Sequence, residues 1–240
     1  FPTTLDALEE RAGASGLWPL MTAYLGIRSR VFDDFLTGAA RDGVRQIVIL
    51  ASGLDTRPFR LEWPAGVRCF ELDQPLVLDF KLAVLEERGA AASCAHTPVR
   101  ADLREDWASA LEEAGFDATL PTAWLAEGLL PYLPPEADEQ LFKEVDRLSA
   151  SGSRLAVEHV SAVEEMAGDA LVRDGGAALG IDLPSLLPDG SKRSPRDQLA
   201  SLGWRYDECS VLESARRLGR PLESAPRLME HMFHAFAQRP

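Results

Sequence analysis

The chain has 240 residues, 46% hydrophobic and 26% charged, enough to bury the core of one large α/β domain rather than two small ones. Its 38 acidic against 25 basic side chains give a formal charge of −13, which argues against nucleic acid, a partner that demands a basic footprint. The longest apolar run, Ile47 to Ala51, is far short of the roughly 20 residues that span a bilayer. The acidic start FPTTLDALEE has neither the basic nor the apolar region of a signal peptide, and the absence of a leading Met points to trimming or to a start outside this sequence. Cys69, Cys94 and Cys209 are scattered with no CxxC pair, so reduced cysteines in a cytoplasmic protein and no metal site are expected.

In chain order, residues 4–41 read as two or three helices, with Thr4 placed to cap the first and Ile27, Val31, Phe32 and Phe35 in an apolar stripe. RQIVILA (45–51) reads as a strand buried on both faces. VRCFELD (67–73) is the second strand, after which Asp73 and Pro75 open a helix of about 14 residues that stops at Gly89. TPVRAD (97–102) is the third, followed by a helix over 104–114 that ends at Gly115, and PTAWLAEG (121–128) is the fourth. LPPEADEQLFKEVDRLSASG is a Pro-started helix with Leu141, Val145 and Leu148 on one face, and SRLAVEHV (153–160) is the fifth strand. Residues 161–193 lose periodicity and read as a loop-rich lid, with room for one short helix in SAVEEMAGDALV. SPRDQLASLGW restores a helix capped by Ser194, with Pro195 at its first position and Gly203 at its end. WRYDECS (204–210) and HMFHAFAQ (231–238) supply two late strands, one of them expected antiparallel. Strands alternating with helices predict a doubly wound, mostly parallel sheet in a single domain. Its parts are N-terminal helices (1–41), a cofactor-binding core (42–160), a lid or acceptor segment (161–193) and a C-terminal helix with strands (194–240).

Ligands of such sheets bind outside the carboxyl ends of the strands. Those ends carry Gly53, Asp73, Asp102 with Leu103, Glu127, and Glu158 with His159. One acid at a strand end is commonly a cap for the next helix; four in succession at one rim point to a ligand. Asp73 lies twenty residues beyond Gly53, where a ribose diol is gripped, and a carboxylate accepts from both hydroxyls at once. Glu71, deeper in the strand, reads as a structural partner. The lone glycine discriminates between cofactors. A dinucleotide asks for several, to bring a pyrophosphate against a helix N-terminus, whereas adenosylmethionine has no phosphate and needs one close backbone approach. Its cationic sulfur and ammonium also suit an acidic rim.

Taken together, RSRVFDDFL, RQIVILASGLDTRPFRLEWPAGV, FELDQPLVLDFK, ADLREDW and PTAWLAEGLLPYLPPE resemble the bacterial adenosylmethionine-dependent O-methyltransferases related to leucine carboxyl methyltransferase and the polyketide carboxyl methyltransferases. The match runs collinearly from about residue 24 to 160 and is weaker afterwards. The resemblance implies a Rossmann-like class I methyltransferase, a seven-stranded sheet with one antiparallel strand and helices on both faces. It implies cofactor contacts at Arg30 (methionine carboxylate), Gly53, Asp73 (ribose), Asp102 and Leu103 (adenine) and Glu127 (methionine end). The lysine that eukaryotic members use near the N-terminus has no counterpart, since no lysine precedes Lys81.

Competing readings of these residues stay open at this point. Arg30 is also placed to pair with Asp33 or Asp34 on a helix surface, and Asp102 to cap the helix after it. His159 and Glu158 are the local candidates for a general base, and Tyr132 for the acceptor pocket or the core; no catalytic residue is fixed. A carboxylate acceptor, already ionised, needs no base, whereas a hydroxyl does. The expected activity is O-methylation of a carboxylate or hydroxyl on a small molecule. The alternatives are a catalytically silent adenosylmethionine-binding protein and a nicotinamide-dependent oxidoreductase.

Overall fold

The computed structural model describes residues 17–182, 184–222 and 227–240. One 25-residue helix, α1 (Leu17–Arg41), covers most of the stretch expected to hold two or three; Thr4 and its neighbours lie outside the described residues. Seven strands follow: β1 (Gln46–Leu50), β2 (Arg68–Asp73), β3 (Ala95–Arg100), β4 (Thr122–Ala126), β5 (Arg154–Val160), β6 (Arg205–Ser210) and β7 (Met232–Gln238). They form one sheet in the order β3-β2-β1-β4-β5-β7-β6. The first five pair in parallel, and β7 runs antiparallel to both β5 and β6. The order reverses between β1 and β4, so the crevice outside their carboxyl ends is the topological switch point where such sheets bind ligands.

Between the strands lie α2 (Arg57–Arg60), α3 (Pro75–Glu87), α4 (Trp107–Glu113), α5 (Pro135–Arg147), α6 (Val163–Gly168), α7 (Ala170–Leu179), α8 (Pro195–Ser201) and α9 (Val211–Arg217). Proline opens α3, α5 and α8, where its missing N–H costs nothing, and the Ser194 side chain accepts from Asp197 N to cap α8. The third strand begins earlier than expected, at Ala95, and stops at Arg100, because it follows the register of β2. The helix after it starts only at Trp107, capped by Asp106.

Period-two alternation sends β-strand side chains to two separate cores. Val48, Leu50, Trp124, Leu155 and Val157 face α4 and α5, packing on Trp107, Leu111, Leu141 and Phe142. Ile47, Ile49, Leu125 and Ala156 face α1, against Phe32, Leu36 and Ala40. The same alternation, carried to the strand ends, sorts the polar residues: Glu158 continues the α1 face, and His159 the opposite one.

Residues 161–193 are more ordered than their composition suggests. They form α6 and α7 and a 3-10 turn at Pro184–Leu186. Gly175 and Gly176 do not interrupt α7, because Asp169 caps it and Val172 is buried in a third cluster with Tyr24, Val211 and Met229. The helix stops at Gly180, in the left-handed region at φ +73° that favours glycine.

Candidate active site

Leaving β1, the chain turns sharply at the rim. Ala51, not a glycine, sits at φ +50°, a conformation costing about 1–3 kcal/mol that persists only where the surroundings impose it. Gly53 follows at φ +50°, its N–H donating to Asp73 Oδ2 at 2.6 Å, and a Cβ placed there would meet nothing within 4 Å. The Asp73 carboxylate also accepts from Gln74 N at 2.7 Å. Each of its oxygens keeps a second lone pair for a ligand on the open side of Gly53. Beneath the turn, the buried Lys81 Nζ lies 3.4 Å from Ser52 Oγ and 3.3 Å from Asp55 O. It pairs with the fully enclosed Glu71 at 2.9 Å, whose other oxygen is 2.6 Å from His96 Nε2. Glu71 is thus committed inside the sheet.

Asp102 lies two residues beyond β3. It accepts from its own loop, at Arg104 N, and pairs with the Arg104 guanidinium at 2.5 Å, which holds its carboxyl down at about 2. It caps no helix; Asp106 does that. Leu103 is half-buried against the main core.

Under α1 a chain of alternating charges runs along the rim. Arg60 grips Asp33 with two bonds of 2.6 and 2.7 Å. Asp33 also accepts from Arg57 Nε at 2.7 Å, and Arg57 reaches Asp55 and, at 2.7 Å, Glu127. Glu127 pairs with Arg28 at 2.6 Å, and Arg28 with Glu158 at 3.0 Å. Gly128 N closes the chain on the same Glu158 oxygen at 2.8 Å. Arg57 is 3% exposed; burial pulls its pKa down, but Asp55, Glu127 and Asp33 together hold it above its ordinary value.

The structure separates Arg30 from this group. Arg30 is 65% exposed and pairs with Asp34 at 2.8 Å one turn on, whereas Arg28 occupies the inward position. Two residues on a helix differ by about 200° in direction, so one arginine of RSR faces the sheet only if the other faces water. Arg57, too, escaped the sequence reading, although it closes the GLDTR stretch that follows β1.

Glu158 is buried, and loss of solvent pushes its pKa up to about 7 against the ordinary 4.5, the Gly128 N–H opposing only in part. The folded state therefore holds a proton here that the unfolded chain has released. Stability supported by this carboxyl is present below about pH 4.5 and is lost as pH rises to about 7. Glu158→Gln flattens that part of the pH–stability curve; a slope between pH 4.5 and 7 identical to that of the parent in urea titrations contradicts the assignment.

On the opposite sheet face a cleft of about 870 Å³ opens past the end of β5, not over Gly53 and Asp73. His159 lines it, with Leu130 and Pro131 from the loop after β4, Asp138 from α5, and Leu187 and Lys192 from the 161–193 segment. Leu186 is exposed outside it, and Leu183 lies outside the described residues. Tyr132, expected at the acceptor pocket or in the core, is 44% exposed and does not line this cleft.

Residues 3–146 match the family model described as leucine carboxyl methyltransferase. The chain is 51% identical over 209 residues to a "Putative S-adenosyl-L-methionine-dependent methyltransferase" of Saccharopolyspora erythraea, covering 87% of this chain and 73% of that one. It is 47% identical over 223 residues to a protein of the same description from Mycolicibacterium gilvum, covering 90% and 70%. The crystal structure of a "putative methyltransferase" from Thermobifida fusca shares the fold, with a TM-score of 0.62 at 18% identity over 98% of this chain and 87% of that one. The sheet order is that of the class I methyltransferase fold. The chain belongs to the leucine carboxyl methyltransferase family, and its cofactor is S-adenosyl-L-methionine.

The rim fits that cofactor. It offers a carboxylate beside an open glycine, and side chains of both charge signs at Arg28 and Glu127, as a zwitterionic amino-acid end requires. Next to Arg28, Tyr24 Oη and His234 Nε2 are buried with no hydrogen-bond partner among the described residues. Unpaired buried polar atoms are costly and mark a place for a polar ligand.

Proposed function

We propose that the protein methylates an oxygen, of a carboxylate or a hydroxyl, on a small molecule held in the cleft at the end of β5. The observation that carries this reading is the cleft itself, which opens next to the rim and is walled by the 161–193 segment. In the cofactor site Asp73 would take the ribose hydroxyls beside Gly53, Asp102 and Leu103 the adenine, and Glu127 the methionine end. Arg28, in the place the resemblance gives to Arg30, would take the methionine carboxylate. When bound, the cofactor supplies a methyl group activated on a sulfonium. The protein's part is then to align the acceptor and keep water out, which is worth about 7–11 kcal/mol where positioning is good.

The experiment uses methyl-tritiated S-adenosyl-L-methionine with matched naphthols and naphthoic acids. Label in an alkali-labile ester reports a carboxylate acceptor, and label in an alkali-stable ether a hydroxyl. Cofactor binding without transfer to any oxygen favours the silent binder. A second expectation concerns the lid: tryptic cleavage within 161–193, at Arg173, Lys192 or Arg193, slows when adenosylhomocysteine and a naphthol are present. Equal cleavage in both states rules out closure.

A further inference from the structure

We propose that Glu208 holds His159 as the general base of the reaction, and that the acceptor is therefore a hydroxyl; this rests on the O-methylation reading above. His159 ends β5 on the cleft side, and its Nε2 lies 3.0 Å from Glu208 Oε2 on the edge strand β6. Tyr206 Oη donates to the same oxygen at 2.7 Å, and Arg196 to the other at 2.8 Å, its guanidinium lying over the Tyr206 ring at 4.6 Å. Burial alone would raise the Glu208 carboxyl, but donors from Arg196, Tyr206 and His159 outweigh it and bring it down to about 2.

An ionised carboxylate can only accept. Nε2 must therefore carry the ring hydrogen, which leaves the lone pair on Nδ1. The ring plane is fixed by stacking on Phe233, with centroids 5.2 Å apart and 16° between planes. Nδ1 has no hydrogen-bond partner among the described residues, and the side chain lines the cleft. Burial lowers the imidazole's proton affinity, keeping it neutral and able to receive. This is the division of labour of a carboxylate–imidazole pair: one group sets the tautomer, the other moves the proton.

A carboxylate acceptor would leave this assembly without work. A hydroxyl gives its proton to Nδ1 while the O–H pair becomes the new oxygen–carbon bond. The electron pair of the broken carbon–sulfur bond stays on sulfur, and the imidazolium then returns the proton to cleft water. Glu208 is a positioning residue, because it acts through His159.

The first arm of the test needs no acceptor. Long-range ¹H–¹⁵N correlation at pH 7 on histidine-labelled protein with adenosylhomocysteine reads the tautomer, His159 being assigned by the signal missing in His159→Gln. A pure Nε2–H tautomer that turns into a mixture in Glu208→Ala is expected. An Nδ1–H or doubly protonated ring in the parent, or a tautomer indifferent to Glu208→Ala, overturns the proposal. In the second arm, label from the naphthol set falls about 10²–10⁴-fold in His159→Gln, the usual worth of a positioned base. Transfer confined to naphthoic acids, or naphthol transfer undiminished in His159→Gln, overturns it as well while leaving O-methylation intact. Failure of the parent to bind adenosylhomocysteine counts instead against the methyltransferase reading.

Discussion

Asp73→Ala weakens adenosylhomocysteine binding by about two to four powers of ten in calorimetric titration. On the proposed reading, two charge-assisted hydrogen bonds to the ribose are removed, each worth roughly 1.5–3 kcal/mol, and every 1.4 kcal/mol is about tenfold in affinity. The substitution also releases Gly53 N, which Asp73 Oδ2 holds at 2.6 Å, so the turn loses its anchor as well. Asp73→Asn separates the two effects: one amide oxygen can still receive Gly53 N–H, while the charge toward the ribose is gone. An unchanged dissociation constant for Asp73→Ala would make Asp73 an anchor of the β1 turn and nothing more. Glu71 is no substitute, since it is fully enclosed with Lys81 and His96.

Arg57→Ala costs stability on a similar scale. The guanidinium is 3% exposed and serves Asp33, Asp55 and Glu127, which belong to α1, the β1 turn and the end of β4. Without it three carboxylates face one another, with Arg60 and Arg28 left to compensate from the two ends. Removing one partner of a buried pair typically costs about 3–5 kcal/mol. At roughly 2–4 °C per kcal/mol for a chain of this size, the melting temperature falls by about 6–20 °C. A change of a degree or less in scanning calorimetry would mean that water already neutralises this cluster.

The sheet was legible because its strands are short apolar runs bounded by turn residues, and the proline, serine and glycine signals bracket the helices near their true ends. The rim was legible because strand ends must lie at one edge of a parallel sheet. Asp73 and Gly53, twenty residues apart, indeed meet there. Arg28 carried a signal that went unused: it precedes Phe32 by four residues and so belongs to the buried stripe of α1, which Arg30 does not. Arg57 carried almost none, because its place depends on acids brought from α1 and β4 by tertiary packing. The same holds for Glu208 and His159, which lie 49 positions apart and meet only because the antiparallel β7 sits between their strands. Residues 161–193 were misread as mostly irregular because glycines lowered the local helix propensity, a weak preference that packing against α1 overrides.

The most direct test of the account is a thermal-unfolding comparison of the parent protein with adenosylhomocysteine and with NAD, each titrated to saturation. Adenosylhomocysteine at a hundredfold excess over its dissociation constant adds about 2.7 kcal/mol, raising the midpoint by roughly 5–11 °C, and NAD leaves it unmoved. Stabilisation by NAD with no response to adenosylhomocysteine would contradict the assignment of the Gly53–Asp73 rim to a methyl donor.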